Sequence, residues 1–186
     1  HQFDEPERGF SYRFDAPLDM RMNQDAEFDA KTVVNEYSER ELTRVIRDYG
    51  EEKWAAAIAK KICKMRQIAP ILTTFDLTEA VKAAIPPRAR QEGGHPAKRT
   101  FQAIRIEVNK ELDVIRPAIN SAVAKMNEGG RVVILTFHSL EDRIVKTAFN
   151  EFSQGCKCPK DFPICVCGNK PKLKIINKKP LTATED

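Results

Sequence analysis

Apolar residues recur at helical spacing through the first half of the chain, between polar stretches that are typical of helix ends. A capping-box pattern at Ser38 and Glu41 precedes the first apolar stripe, which ends at Gly50. A third helix begins near Thr74 and ends before a Pro-Pro pair, which cannot continue it. The first two stripes consist of Leu42, Val45, Ile46 and Tyr49, and of Trp54, Ile58, Ile62 and Met65. Residues 28–85 are therefore predicted to form a helical bundle.

The second half of the chain alternates helix and strand patterns. His95 and Pro96 are typical of the N-cap and first residue of a helix, and Pro117 can open another. The apolar, β-branched residues 131–137 predict a buried strand of a parallel sheet, and residues 173–177 predict one further strand. The buried stripe of the helix after Pro96 consists of Phe101, Ile104, Val108 and Leu112.

The succession of helix, strand and helix predicts an α/β fold. Ser139 and Asp142 follow the strand at the spacing of an N-terminal helix cap. A single buried strand needs parallel neighbours to satisfy its backbone groups, and this chain supplies too few of them. We therefore expect either a piece of a larger α/β protein or a sheet that another chain completes, with a homodimer as one candidate.

Composition narrows the class of protein. A chain of 186 residues with 41% hydrophobic content can bury a core, and its polar, acidic start is unlike a signal peptide. No apolar run is long enough to span a membrane, which predicts a soluble, cytoplasmic protein without membrane contacts. The net charge is +4, but residues 1–29 hold −5 and residues 30–186 hold +9. This asymmetry is typical of a protein that binds a polyanion.

Residues 7–22 alternate aromatic, arginine and acidic residues without a helix or strand period. One interpretation is an RNA-recognition loop, in which aromatic rings stack on bases and arginines reach phosphates. The alternative, which composition slightly favours, is a surface loop pinned by its own ion pairs. The candidate RNA contacts in this loop are Arg8, Phe10, Tyr12, Arg13 and Arg21.

Residues 93–105 place Lys98 and Arg99 in the first turn of a helix, where acidic residues are usually preferred. A bound anion such as an RNA phosphate would explain this unfavourable placement, with His95, Lys98 and Arg99 as candidate contacts. The alternative is that Arg99 and Arg105 pair with acidic residues of the protein itself. A single histidine such as His95 is also more often a helix cap than a catalyst.

Residues 136–143 lie at the carboxyl end of the predicted strand, where open α/β sheets bind their ligands. The candidate catalytic residues are His138, Ser139 and Glu141, and Arg143 is a candidate phosphate contact. The alternative gives Ser139 and Asp142 the structural role of capping the next helix.

Four of the five cysteines lie between residues 156 and 167, in two C-x-C arms. Without a secretory signal, this crowding indicates a local site rather than a disulfide scaffold. Four thiolates can bind zinc tetrahedrally, although C-x-x-C arms are the more specific pattern. We favour a reduced surface hairpin, with zinc binding by Cys156, Cys158, Cys165 and Cys167 as the alternative. The fifth cysteine, Cys63, is expected in the helical core.

Residues 7–22, 93–109 and 136–143, with residues 178–186, resemble a bacterial family of S-adenosylmethionine-dependent methyltransferases. That family modifies the N4 amine of a cytosine in small-subunit ribosomal RNA. The resemblance covers essentially the whole chain, in order. It implies a Rossmann-like methyltransferase domain with an inserted all-helical domain for RNA recognition. It also implies S-adenosylmethionine as the cofactor, and small-subunit ribosomal RNA or the assembled small subunit as the partner.

The same resemblance implies how the chain divides. Residues 1–27 form a loop that leaves the methyltransferase domain, residues 28–94 form the inserted helical domain, and residues 95–186 return to the methyltransferase domain with a Cys-rich hairpin at 156–167. Gln2 matches a glutamine that contacts the cofactor in the family. Family members begin with a glycine-rich cofactor-binding turn that this sequence lacks. We therefore expect an internal and carboxy-terminal part of the family's sequence, with weak cofactor binding of its own.

The implied reaction makes specific demands on the protein. Cytosine N4 is a poor nucleophile because its lone pair is delocalised into the ring. The enzyme must therefore orient the amine, accept hydrogen bonds from its N–H groups and take the base out of its stack. The alternative function is a non-enzymatic helical module with a zinc loop that binds RNA or a partner protein. That module would explain the positive charge but not the segment at residues 136–143.

Overall fold

The computed structural model describes residues 5–91, 94–156, 158–159, 163–164, 166–177 and 179–182. In this part of the chain all regular elements are helical, and they group into two compact units that divide between Glu111 and Leu112. None of the described helices is long and apolar enough to cross a membrane. The α-helices are Ala30–Glu36 (α1), Glu39–Gly50 (α2), Ala55–Arg66 (α3), Thr74–Ala84 (α4), Lys98–Asn109 (α5), Ile115–Lys125 (α6) and Ser139–Ser153 (α7).

The first unit is a helical bundle centred on α2, which confirms the predicted bundle. Helix α2 packs against α3 and α5, α3 packs against α4, and α1 contacts α3 and α5. The Ser38 side chain accepts a hydrogen bond from the backbone N–H of Glu41, so the predicted capping box is present. Thr73 and Asp76 form a second capping box at α4. The predicted stripe residues Leu42, Val45, Ile46, Ile58 and Ile62 are all fully buried.

The loop at residues 7–22 is built into this bundle. Leu18 and Met20 are fully buried, and the backbone N–H of Leu18 donates to the carbonyl of Leu72 at 2.9 Å. The N–H of Met20 donates to the carbonyl of Arg8 at 3.0 Å. Core packing and backbone hydrogen bonds therefore fix the course of this loop against the helices.

Helix α5 begins two residues later than the sequence predicts. Its first residue is Lys98 and its N-cap is Ala97, whereas His95 and Pro96 belong to the preceding turn. The backbone N–H of Ala97 donates to Nδ1 of His95 at 3.3 Å, so the imidazole stabilises the turn rather than the first helical residues.

The second unit has a smaller core, between α6 and α7. The buried residues of this core are Ile119, Val145 and Ala148. Ile134 is among the half-buried residues that pack against them. This core is too small to enclose the segment that connects the two helices.

The predicted buried strand at residues 131–137 is not formed among the described residues. The described residues contain no β-strand and one isolated bridge, between Pro17 and Thr73. Val133, Leu135 and Phe137 are 90%, 78% and 83% exposed, and the residues between them are half-buried. The segment therefore keeps the alternation of a strand but has no neighbouring strand to pair with or to cover its second face.

Residues 173–177, the other predicted strand, also lack strand pairing. They face residues 131–133 across an open cleft of about 670 Å³ within the second unit. The gap between the two segments explains why neither forms the ladder that the apolar pattern predicts. The α/β class predicted from sequence is therefore absent from the described residues, which are all-helical.

Candidate functional site

A pocket of the first unit lies beside two stacked rings, those of Tyr12 and His95. Their centroids are 4.2 Å apart and their planes differ by 5°. Tyr12 also makes a T-shaped contact with Phe101 of α5, with centroids 5.7 Å apart. The pocket measures about 400 Å³. Its other lining residues are Arg13, Phe75, Thr78, Glu79 and Lys82.

The surroundings of this pocket lower the pKa of His95. Burial is the largest cause that lowers the pKa of His95 below 6.5, and the positive charges of Lys82 and Arg13 lower it further. The imidazole is therefore mostly neutral at pH 7. Lys82 also pairs with Glu79, with Nζ and Oε1 3.1 Å apart. The pocket thus combines neutral aromatic surface with two cations and one carboxylate.

Thr78 and Phe75 in the wall of the pocket differ in how far they are exposed. Thr78 is 3% exposed, and among the described residues its Oγ1 has no hydrogen-bond partner. Buried hydroxyls normally have such a partner. The ring of Phe75 is by contrast 45% exposed. The exposed ring of Phe75 is a surface on which a nucleobase can stack, whereas Oγ1 of Thr78 is buried in this conformation.

Two predicted RNA contacts, Arg8 and Phe10, also make contacts within the fold. Phe10 is 5% exposed and belongs to the helical core, so its ring is not available for base stacking in this conformation. Nη2 of Arg8 donates to the carbonyls of Arg21 at 2.8 Å and Met22 at 3.2 Å. The alternative of a loop pinned by its own ion pairs applies to Arg8, whose Nη1 lies 3.6 Å from Oε2 of Glu5.

Arg21 is bound within the same loop. Its Nε and Nη2 each donate to a carboxylate oxygen of Asp19 at 2.8 Å, which is the bidentate geometry of a strong charge-assisted pair. The hydrogen bond from Arg21 holds the pKa of Asp19 below its usual value. Nη1 of Arg21 donates to the carbonyl of Gln24 at 3.0 Å. These bonds occupy the guanidinium groups that a phosphate would need.

The first turn of α5 presents two cations to solvent. Lys98 is exposed and has no ion-pair partner in the part of the chain that is described. Arg99 is also exposed, and its Nη1 donates to the backbone carbonyl of Glu51 at 2.9 Å rather than to an acid. Arg105 forms a bidentate pair with Glu111 at 2.8 and 2.9 Å. The internal ion pairs expected as the alternative therefore form at Arg105 but not at Arg99.

His138 and Glu141 cap helix α7, whereas the sequence predicted Ser139 and Asp142 in this role. Nδ1 of His138 accepts from the backbone N–H of Glu141 at 3.5 Å. Oε2 of Glu141 accepts from two backbone N–H groups, at 2.7 and 3.3 Å. Asp142 instead pairs with Lys146 at 2.6 Å. The cap lies one residue earlier because His138 still has the extended backbone conformation of an N-cap.

The same two side chains meet through their other atoms. Nε2 of His138 lies 3.6 Å from Oε1 of Glu141, and it is buried without a hydrogen-bond partner among the described residues. Ser139 and Arg143 are exposed in the first turns of α7. Two of the three candidate catalytic residues therefore contact each other, and the third follows His138 directly in sequence. The predicted cofactor contact, Gln2, lies outside the described residues.

The sequence model of one protein family, described as the MraW methylase family, matches residues 1–186 of the chain. The chain belongs to this family. Curated relatives named ribosomal RNA small subunit methyltransferase H are similar over nearly the whole chain. The protein from Clostridioides difficile is 58% identical over 186 residues, which are 100% of this chain and 60% of the relative.

Two further relatives with that name match this MraW-family chain with similar identity and coverage. The protein from Ruminiclostridium cellulolyticum is 57% identical over 183 residues, 98% of this chain and 58% of the relative. The protein from Heliobacterium modesticaldum is 55% identical over 186 residues, 100% of this chain and 59% of the relative. The chain thus spans about three-fifths of the length of these relatives.

One polar cluster in this MraW-family chain was missed by sequence reasoning. Glu107 of α5 is 3% exposed, and its Oε1 accepts from the hydroxyl of Tyr37 at 2.6 Å. Arg44 and Lys110 lie 3.5 and 3.2 Å from the same oxygen. Burial, together with this hydrogen bond, raises the pKa of Tyr37 well above its usual range. The sequence did contain a signal for this cluster. Glu107 follows Ile104 by three residues and so lies on the buried stripe of the helix, where a charged residue needs partners.

The cysteine segment also has a defined geometry. The Sγ atoms of Cys156, Cys158 and Cys167 lie within 4.8 Å of one another. Cys165, the other cysteine of the motif, lies outside the described residues. Cys63 of α3 is half-buried and packs against the helical core, in agreement with its predicted place.

Proposed function

We propose that the protein transfers a methyl group from S-adenosylmethionine to the N4 amine of a cytosine in small-subunit ribosomal RNA. The observation that supports this function is family membership, with 55–58% identity to relatives named ribosomal RNA small subunit methyltransferase H. Membership of a methylase family favours methyl transfer over the alternative of a non-enzymatic binding module. The specific base and the cofactor follow from the family resemblance of residues 7–22, 93–109 and 136–143.

The described residues do not by themselves fit the cofactor. The one matched contact, Gln2, lies outside them, and the sequence lacks a glycine-rich turn that would present backbone N–H groups to such a ligand. The roles proposed below for residues of this chain therefore concern binding and positioning of the RNA substrate. The chain spans about three-fifths of its relatives, so the complete reaction is a proposal for the whole protein.

The proposed domain organisation follows the family resemblance. Residues 28–94 belong to an inserted helical domain, and residues 95–186 belong to a Rossmann-like methyltransferase domain. In this proposal residues 131–137 form a strand whose neighbours are not supplied by the described residues. The exposed apolar side chains of Val133, Leu135 and Phe137 support it, because soluble proteins rarely leave such a row uncovered.

We assign RNA binding to the pocket beside Tyr12 and His95. An unpaired base stacks on the exposed ring of Phe75, while its phosphates approach Arg13 and Lys82. Support comes from the open aromatic face and the two cations around one pocket. Lys98 and Arg99, both exposed in the first turn of α5, are further proposed phosphate contacts.

For the reaction itself, we propose that His138, Ser139 and Glu141 position the target amine. Oε2 of Glu141 is held by two backbone N–H groups, which fixes the carboxylate and leaves Oε1 able to accept from an amine N–H. Nε2 of His138 lies 3.6 Å from Oε1, beside the position that the amine would occupy in this proposal. Arg143, exposed one turn further along α7, remains a proposed phosphate contact.

The RNA site is tested by the salt dependence of binding to a single-stranded fragment of small-subunit RNA. Each phosphate contact contributes a slope of about −0.7 in the plot of log affinity against log salt. The double variant Arg13→Gln/Lys82→Gln is expected to flatten the slope by about 1.4, provided that both side chains touch phosphate. Reversing the charges of Lys98 and Arg99 is expected to flatten it by roughly 1 to 2.

The matched control is Arg40→Gln/Lys60→Gln. It also removes one arginine and one lysine charge, but from exposed positions on α2 and α3. This control is expected to leave the slope almost unchanged. Equal slopes for the pocket variant and the wild-type chain would reject the pocket as the RNA site. A lowered melting temperature with an unchanged slope would instead assign these side chains a structural role.

The catalytic proposal is tested with Glu141→Gln in the full-length protein. Glutamine can also complete a capping box, so the stability of α7 is expected to change little. Methyl incorporation into small-subunit RNA should nevertheless fall by about 100-fold or more, since positioned acid–base groups typically contribute 10²–10⁴-fold. Asp142→Asn, which removes a neighbouring charge, is the control. Full activity of Glu141→Gln would restrict Glu141 to capping.

A further inference from the structure

We propose that Cys156, Cys158 and Cys167 bind one zinc ion through their thiolates. The Sγ atoms of all three lie within 4.8 Å of one another. One metal ion can therefore contact all three with small side-chain adjustments. The proposal reverses the reduced hairpin favoured by the sequence, because C-x-C spacing alone did not reveal that the two arms converge.

The sulfur–sulfur distance matches a zinc site. Tetrahedral zinc with Zn–S bonds of about 2.3 Å holds any two of its sulfurs about 3.8 Å apart. The Sγ atoms of Cys156 and Cys167 are 3.8 Å apart. A disulfide would require about 2.05 Å between the same atoms. The observed spacing fits two ligands of one metal ion, and in a metal-free chain it is that of a hydrogen bond from the Cys167 thiol to Sγ of Cys156.

The backbone around the cysteines holds the two arms together. Nδ2 of Asn169 donates to the carbonyls of Gln154 at 3.1 Å and Gly155 at 2.6 Å. The backbone N–H of Lys172 donates to the carbonyl of Phe152 at 2.8 Å. These bonds join the chain before Cys156 to the chain after Cys167 at the end of α7. The convergence of the sulfurs therefore follows from the course of the chain.

A backbone donor also holds one of the three sulfur atoms in place. The N–H of Cys158 donates to Sγ of Cys156 at 3.4 Å. Hydrogen bonds to ligating atoms orient them toward the metal. Cys165 lies outside the described residues, and the proposal rests on the other three cysteines.

Zinc also fits the needs of this part of the chain. The unit formed by α6 and α7 has a small core, and small cores are commonly supplemented by a structural metal. Thiolate ligands select zinc, copper(I) or iron–sulfur clusters, and of these zinc is the ion of the common structural cysteine-rich sites. We therefore assign the ion a structural role, in which it fixes the segment after α7.

Metal analysis of the protein, purified under reducing conditions without chelator, tests the proposal. We expect about one equivalent of zinc in the wild-type chain and less than about a tenth in Cys156→Ser and Cys167→Ser. Cys63→Ala, a cysteine variant in the helical core, should retain the full equivalent. Cobalt(II) exchanged into the site should give a thiolate charge-transfer band and the d–d bands of tetrahedral coordination.

Three outcomes would overturn this assignment. Less than about a tenth of an equivalent of zinc in the reduced wild-type protein, without cobalt bands on reconstitution, leaves the hairpin metal-free. Unchanged zinc in Cys156→Ser would place the ion elsewhere. Iron and inorganic sulfide in place of zinc would assign a cluster instead. None of these outcomes depends on RNA binding or methyl transfer, so the proposed function is tested separately.

Discussion

At the scale of single residues, the pKa of His95 is set by its surroundings in the fold. Burial, with the charges of Lys82 and Arg13, lowers it below 6.5. The folded state therefore binds this proton less tightly than the unfolded state does, and its contribution to stability is complete above pH 6.5. That contribution is lost as the pH falls through the lowered pKa of the folded state.

We predict that His95→Phe, which keeps a ring for stacking on Tyr12, weakens the loss of stability below pH 6.5. Urea unfolding of both proteins over a pH series measures the difference. Arg13→Gln should raise the pKa of His95, which an NMR titration of the imidazole reports. An unchanged pKa in that variant would show that burial and Lys82 are responsible without Arg13.

The pocket around His95 also shows what a sequence can and cannot predict about a site. The pattern at residues 7–22 drew attention to Tyr12 and Arg13, and helix spacing predicted α4. Nothing in that spacing indicated that Thr78 would line the same pocket, because its neighbours come from distant parts of the chain. For the same reason, composition could not separate Tyr12 from the buried Phe10.

At the scale of elements, the contact between α2 and α5 depends on a glycine. A Cβ atom at Gly50 would lie 2.6 Å from the backbone carbonyl oxygen of Arg99. The sequence predicted Gly50 as a helix end, and α2 does end there. Its packing role requires knowledge of α5, which helical periodicity does not supply.

We predict that Gly50→Ala lowers the free energy of unfolding by about 1–3 kcal/mol, the usual cost of overpacking. Alanine has the higher helix propensity, by about 1 kcal/mol, so a helix effect alone would have the opposite sign. Gly155→Ala is the control, since its Cβ would make only ordinary contacts at 3.7 Å. Chemical denaturation of the two variants measures whether the free energy of unfolding falls or rises. A gain of stability in Gly50→Ala would mean that the helices separate without cost.

At the scale of the whole molecule, helices were predictable from sequence and the strands were not realised. A helix closes its hydrogen bonds within one segment, so local patterns such as the capping box at Ser38 suffice. A strand depends on partners elsewhere, and residues 131–137 have none among the described residues. Their apolar pattern remains informative, because it marks a face that this chain leaves uncovered.

We predict that Leu135→Thr and Phe137→Thr change the stability of this chain by less than about 0.5 kcal/mol, as is usual for exposed positions. Both variants should also bind less of a dye that reports exposed apolar surface. Ile134→Ala is the comparison, because Ile134 packs beside Ile119 and Val145. It should lose more than about 1 kcal/mol, since it removes partly buried methyl groups. If the threonine variants destabilise the chain as much as Ile134→Ala does, then residues 131–137 are covered on both faces within this chain, and no further strands are needed to explain their pattern.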